Sequence, residues 1–249
     1  MHYLPGMVID THQHLGRSRF SGHETDEVAL LEGMASNGID LALVLPQATL
    51  GAARPEHDRI AQLAARNPGQ IRGVASICPW IEEDAYIAEA FRCVRELGFV
   101  ALKLDPNGHG VPLNNAVVER CFAAARELGV AVIVHTGTPV PNGLPSLAIP
   151  WARSFPTVPV VLAHAGFGVF AAEAMLAARS SENVFLEPSW CPVFQVREFH
   201  RELGPTRLMF GSDHVENMAV ELMKWRSAGL SRAALETVLE QTPKAVFRL

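Results

Sequence analysis

His12 and His14, separated by one glutamine, are the first residues in this chain whose types and spacing could do chemistry. In an extended segment, residues two apart point the same way, so both imidazoles can reach one ion while Gln13 faces elsewhere. His135, His164, Lys103 and Asp213 extend the set, each close to the end of a short apolar run. Imidazole nitrogens with a carboxylate suit a divalent first-row ion such as Zn2+, with a position left open for water or substrate. Such an ion brings a bound water to a pKa near ~7 and makes hydroxide available at neutral pH. Asp213 has two roles open to it, ligand and proton acceptor. A single histidine at a strand end is ordinarily a hydrogen-bonded structural residue, so the weight lies on the conjunction.

These residues need elements to bring them together. Short β-rich apolar runs occur at 8–10, 40–45, 71–77, 100–104, 130–135, 158–164, 183–187 and 207–211, each bounded by turn formers. Between them lie segments with helical periodicity, such as 84–98 and 115–129, both ending in glycine. Continuously apolar strands alternating with helices predict a parallel sheet. Eight such units predict an α/β fold, a closed (β/α)8 TIM barrel, over residues 1–249 as a single domain. The candidate ligands then converge at the C-terminal ends of the strands, where barrel enzymes place their sites. The Pro- and Gly-rich stretch 136–150 follows the fifth run and is expected to form a loop lining the pocket.

Composition narrows the partners. A hydrophobic fraction of 49%, a charged fraction of 19% and a net charge of -5 describe a globular chain without the basic surface that nucleic acid or anionic lipid requires. A small-molecule substrate is expected, with no nucleic acid and no membrane. The N-terminal residues lack a signal-peptide pattern and no stretch approaches the ~20 apolar residues of a membrane span, so a cytoplasmic enzyme is expected. Cys78, Cys93, Cys121 and Cys191 are scattered and suit buried thiols. No dinucleotide-binding glycine turn follows the first run and no phosphate-binding Gly-Lys loop is present. A two-fold homodimer is the commonest oligomer and is expected here only on that ground.

The segments VIDTHQH, ALKLDP, VIVHTG, VLAHAG and FGSDH resemble the strand motifs of amidohydrolase-related proteins, the branch that includes aminocarboxymuconate semialdehyde decarboxylase. The resemblance spans nearly the whole chain. It implies one divalent metal, Zn or Mn, held by His12, His14, His135 and Asp213, with His164 beside it as an acid/base group or polariser. Two-metal members of the wider superfamily carry a carboxylated lysine where Lys103 falls, so Lys103 and His164 would complete a second site. Relatives commonly carry a proline soon after Gly-Ser-Asp, where this chain has His214, Val215 and Glu216, which alters that wall and brings His214 toward the pocket.

Arg17, Arg19, His109, Asn142 and Trp190 are candidate substrate contacts by placement, an arginine being able to clamp a carboxylate bidentately. Glu187 is placed either to support a ligand histidine or to pair with an arginine. The first expectation for the reaction is hydrolysis of an amide, ester or lactone, with Asp213 as base and His164 assisting. The alternative is non-oxidative decarboxylation of an unsaturated or aromatic acid, which requires a cationic clamp and an apolar slot beside the metal. A non-catalytic binding barrel would lack a ligand, and no expected position is missing.

Overall fold

The computed structural model of the chain describes residues 6–138 and 141–249. Part of the expected pocket loop, residues 139 and 140, lies outside them. The strands are β1 (Ile9–Arg17), β2 (Glu24–Thr25), β3 (Leu41–Pro46), β4 (Ile71–Ser76), β5 (Ala101–Leu104), β6 (Ala131–His135), β7 (Val160–Ala163) and β8 (Val184–Glu187). They form one curled sheet in the order β2-β1-β3-β4-β5-β6-β7-β8, parallel throughout except for the β1 and β2 pair. The helices are α1 (Glu27–Asn37), α2 (Arg54–Arg66), α3 (Glu83–Arg95), α4 (Glu119–Leu128), α5 (Ile149–Ser154), α6 (Ala171–Ser180), α7 (Val193–Leu203), α8 (Met218–Ser227), α9 (Arg232–Glu236) and α10 (Thr242–Phe247). α4 stops as its periodicity predicts, at Gly129 in the left-handed conformation (φ 68°), whereas α3 ends at Arg95, before Gly98.

Strand periodicity divides the apolar residues into two layers. Leu41, Leu43, Leu45, Ala101, Ala131, Ile133, Val161 and Ala163 pack inside the curl, with Ile9 and Met209. Their neighbours Val44, Leu102, Leu104, Val132, Val134 and Leu162 pack outward under the helices. Lys103 lies two residues after Ala101, and His135 two after Ile133, so both inherit the inward face.

β1 departs from simple alternation. Ile9 pairs with Leu41 and His14 with Leu45, so five steps on β1 oppose four on β3, with the register shift between Asp10 and Gln13. Uninterrupted alternation from the inward Ile9 would aim His12 and His14 at the helices. The extra residue reverses the parity and puts them inside, as β-bulges beside active sites commonly do.

The expected eighth run, 207–211, is corrected by the structure. Arg207 belongs to a 3-10 turn, and residues 208–213 form only isolated bridges, Leu186 to Leu208 and Gln13 to Asp213. Backbone bonds still tie this segment to both sheet edges: Met209 N–H to Leu186 O (3.1 Å), Thr11 N–H to Phe210 O (3.0 Å) and Asp213 N–H to His12 O (2.7 Å). Regular pairing fails because Gly211 packs against Glu187 and Asp213 adopts φ 68°, which no extended strand continues. All four cysteines are buried and free, and no helix among the described residues is long and apolar enough to cross a membrane.

Candidate metal centre

His12 and His14 reach the inner face at the C-terminal half of β1, with their Nε2 atoms 3.2 Å apart. Asp213 Oδ1 completes a triangle, 3.6 Å from His12 Nε2 and 3.4 Å from His14 Nε2. His164 joins at a ring-centroid distance of 4.9 Å from His12, and His12, His164 and Asp213 offer ligand atoms all within 4.8 Å of one another.

The outward nitrogens decide what the inward ones carry. His12 Nδ1 lies 3.0 Å from Glu187 Oε2, His14 Nδ1 3.3 Å from the Pro46 carbonyl, and His164 Nδ1 2.7 Å from Ser189 Oγ, which itself donates to Glu187 Oε2 at 3.0 Å. Each partner accepts, so each Nδ1 carries the ring proton and each Nε2 turns a bare lone pair inward. Burial drives His12 and His164 well below the usual imidazole range and His14 to about 3, so the rings are neutral near pH 7. Burial raises the Asp213 carboxyl, but the surrounding imidazoles outweigh it and hold it well below the usual range. Lone pairs and a carboxylate oxygen facing one another at these distances repel unless a cation lies among them. The donor set therefore fits a divalent ion.

Lys103 Nζ approaches the same point, 3.1 Å from His12 Nε2, and burial lowers its pKa. It is therefore aimed at His12. His135 meets His164 edge to face at 4.8 Å, with its Nε2 3.1 Å from the Thr138 carbonyl. Of the ligands the sequence suggested, His12, His14 and Asp213 stand within contact, and His135 stands beside them with its ring nitrogen engaged.

A cavity of about 300 Å³ opens onto this cluster. Its walls include His14, His135, His164 and Asp213, the polar Arg19, Asp105 and Asn107, and the rings of Phe20 and Phe167. Arg19 reaches it, its Nη2 donating to Gly108 O at 2.7 Å. The other suggested contacts do not line it. Arg17 is exposed at the end of β1, its backbone paired with Glu24. His109 is buried behind the wall, accepting the Asp105 N–H at Nδ1 (3.3 Å) and facing Ser76 Oγ with Nε2 (3.4 Å). Asn142 uses its carbonyl to receive Leu113 N–H. Trp190 serves the centre indirectly, donating from Nε1 to Asp213 Oδ2 at 2.9 Å and stacking on Phe167. His214 does line the cavity, with Nε2 3.5 Å from Asp213 Oδ2 and its ring stacked on His23.

Sequence reading missed the carboxylate that joins the site's halves. Asp10 Oδ1 accepts the backbone N–H of both His12 and Ser212 at 3.1 Å, fixing the two ligand-bearing segments against each other. Its position two before His12 was the available signal. Backbone conformation is also unusual here: His164 (φ 65°), Trp190 (φ 65°) and Asp213 (φ 68°) are left-handed, a strained state for non-glycine residues that gathers at functional sites.

A family model described as Amidohydrolase matches residues 9–249. No curated protein matches the chain. Among solved structures, 5-carboxyvanillate decarboxylase from Sphingomonas paucimobilis is similar at TM-score 0.79 and 18% identity, covering 98% of this chain and 99% of that one. A dihydroxybenzoic acid decarboxylase from Polaromonas sp. JS666, with bound manganese and the inhibitor 2-nitroresorcinol, gives TM-score 0.76 at 15% identity, over 98% and 97% of the two chains. A probable 2-pyrone-4,6-dicarboxylic acid hydrolase from Acinetobacter baumannii, with citric acid bound, gives TM-score 0.73 at 13% identity, over 98% and 100%.

Proposed function

The chain belongs to the amidohydrolase family, and on that premise we propose that it is a metal-dependent enzyme that decarboxylates an aromatic or unsaturated carboxylic acid without oxidation. The observation that carries the metal is the convergence of the His12 and His14 Nε2 lone pairs with Asp213 Oδ1. We assign His12, His14, His135 and Asp213 as ligands of one Mn2+ or Zn2+ ion, His135 exchanging its Thr138 carbonyl for the ion. Bound there, the ion supplies Lewis acidity toward substrate oxygen. We read residues 208–213 as the closing stave of a (β/α)8 barrel and the chain as one domain.

Decarboxylation is preferred to the hydrolysis expected first, because the cavity carries the two features it requires. Arg19 is a cationic clamp for a carboxylate, and Phe167 and Phe20 form an apolar slot. The similar structures named above include two decarboxylases, which agrees. In the reaction the bond to the carboxylate carbon breaks, CO2 leaves, and the electron pair left on carbon takes up a proton. Asp213 and His164 are the cavity groups able to carry that proton, and Ser189 and Glu187 hold the His164 ring in one orientation. Hydrolysis of an ester or lactone stands second, with Asp213, a carboxylate lining the cavity, as the group placed to accept a proton from water.

The test is a paired assay of chain stripped of metal and reloaded with Mn2+ or Zn2+. CO2 release from hydroxybenzoates and unsaturated acids is measured beside hydrolysis of lactones and esters. CO2 release that needs metal and disappears in Asp213→Asn is expected. Hydrolysis alone supports the second reading, and a loaded chain that holds metal without either activity overturns both.

A further inference from the structure

α8 reverses the usual order of an amphipathic helix: Val220 and Met223 are exposed, whereas Glu221 is 2% exposed and the Lys224 side chain 9%. Glu221 Oε2 and Lys224 Nζ form an ion pair one turn apart. Such a pair gives up hydration that apolar side chains would not, so its burial is weak evidence for stability and calls for another role. From its contacts we infer that Glu221 is a positioning residue for the metal centre, holding Asp213 through Trp190. The inference rests on the reading of that centre as a metal site.

Glu221 Oε1 accepts the backbone N–H of Trp190 at 2.9 Å, and Trp190 Nε1 in turn donates to Asp213 Oδ2 at 2.9 Å. Trp190 has φ 65°, a costly conformation for a residue with a Cβ, which persists only where neighbours impose it. Lys224 Nζ donates to the Pro188 carbonyl at 2.7 Å and so fixes the other end of the same turn. That turn also presents Ser189, whose Oγ meets His164 Nδ1 at 2.7 Å. The ion pair grips the turn after β8 from the helix side, while side chains of the turn hold Asp213 and His164.

Asn217, the residue before α8, adds a second link. Its Nδ2 donates to Glu221 Oε1 at 3.3 Å and to the Ser212 carbonyl at 3.0 Å, next to Asp213 itself. Glu221 Oε1 thereby joins segments 188–190 and 212–213, whose relative position sets where Asp213 Oδ1 stands against the histidines. Asn217, Glu221 and Lys224 do not line the cavity, so any effect they have on the centre is transmitted through these bonds.

The test is Zn2+ affinity, read by competition with a chromogenic chelator in a double-mutant cycle with Trp190→Phe. Glu221→Leu/Lys224→Met replaces the pair by apolar side chains and leaves no lone buried charge. It is expected to weaken Zn2+ binding by ~10-fold or more, the scale of losing a group that orients a ligand. In the Trp190→Phe background the same replacement is expected to lose most of its effect, because the path to Asp213 is already cut. Glu221→Gln/Lys224→Met keeps an acceptor for the Trp190 N–H, drops only the charge, and is expected to bind Zn2+ as wild type does. Additive losses, an unchanged affinity in the Leu variant, or an equal loss in the Gln variant overturn the inference. If the Leu variant does not melt cooperatively, the Gln variant decides. Wild-type affinity that is lost on adding Trp190→Phe supports the inference, and an affinity already reduced, or unmoved by Trp190→Phe, overturns it. A wild-type chain that takes up no metal instead overturns the reading on which the inference rests.

Discussion

Trp190 Nε1 donates to Asp213 Oδ2 at 2.9 Å while Oδ1 of the same carboxylate faces His14 Nε2 at 3.4 Å. The indole thereby divides the carboxylate between a structural oxygen and one turned to the imidazoles. Trp190 accepts a left-handed backbone to do so and stacks on Phe167, whose ring lines the cavity. Trp190→Phe keeps the stack and removes the donor. Metal affinity, measured by competition with a chromogenic chelator, is expected to fall ~10–100-fold, the usual effect of losing a group that orients a ligand. An unchanged affinity would show that Asp213 needs no such restraint.

Lys103 Nζ stands 3.1 Å from His12 Nε2. The one-metal assignment predicts near one ion per chain by elemental analysis in wild type, near none in His12→Ala, and near one still in Lys103→Met. A two-metal centre bridged by carboxylated Lys103 would give about two ions in wild type and lose at least one in Lys103→Met.

Gly211 marks the closest approach of the last barrel segment to the carboxylate behind His12. A Cβ there would lie 2.6 Å from Glu187 Cδ. Gly211→Ala must displace Glu187 from His12 Nδ1, so metal loading should drop and the stability read from the thermal melt should fall by the ~1–3 kcal/mol typical of overpacking. Full loading with an unchanged melt would mean that Glu187 is free to move.

Away from the centre, buried Glu89 binds His57 Nδ1 (2.9 Å), Arg92 Nη2 (2.7 Å) and Arg54 Nε (3.0 Å). Burial raises its carboxyl, yet the bonds from His57 and Arg92 prevail and hold it well below its ordinary value of 4.5. A depressed carboxyl contributes stability above its unfolded pKa and loses it as pH falls toward the folded one. Glu89→Gln is therefore expected to cost ~1.5–3 kcal/mol near neutral pH. The wild-type melting temperature should fall more steeply than the variant's between pH ~5 and ~3. Parallel profiles would assign the acid sensitivity to other carboxylates.

The alternation of apolar strands and amphipathic helices was legible in the residues, because burial on both faces of a parallel strand and on one face of a helix leaves periodic signatures. So were Lys103 and His135 as polar residues within and at the end of apolar runs. His12 and His14 were recognisable as a pair from their spacing, and the Gly-Ser-Asp ending marked Asp213.

Three things were decided only in the fold. The extra residue in β1 that turns His12 and His14 inward depends on pairing with β3, and nothing local in the sequence specifies it. Arg19 reaches the cavity and Arg17 does not, because β1 runs on to pair with β2 before the chain turns. The proton positions on His12, His14 and His164 are set by Glu187, Pro46 and Ser189, brought from other parts of the chain. Residue type and spacing determine which atoms can bind and which face is apolar. Direction, protonation and proximity arise from contacts between distant segments, and only tertiary packing creates those.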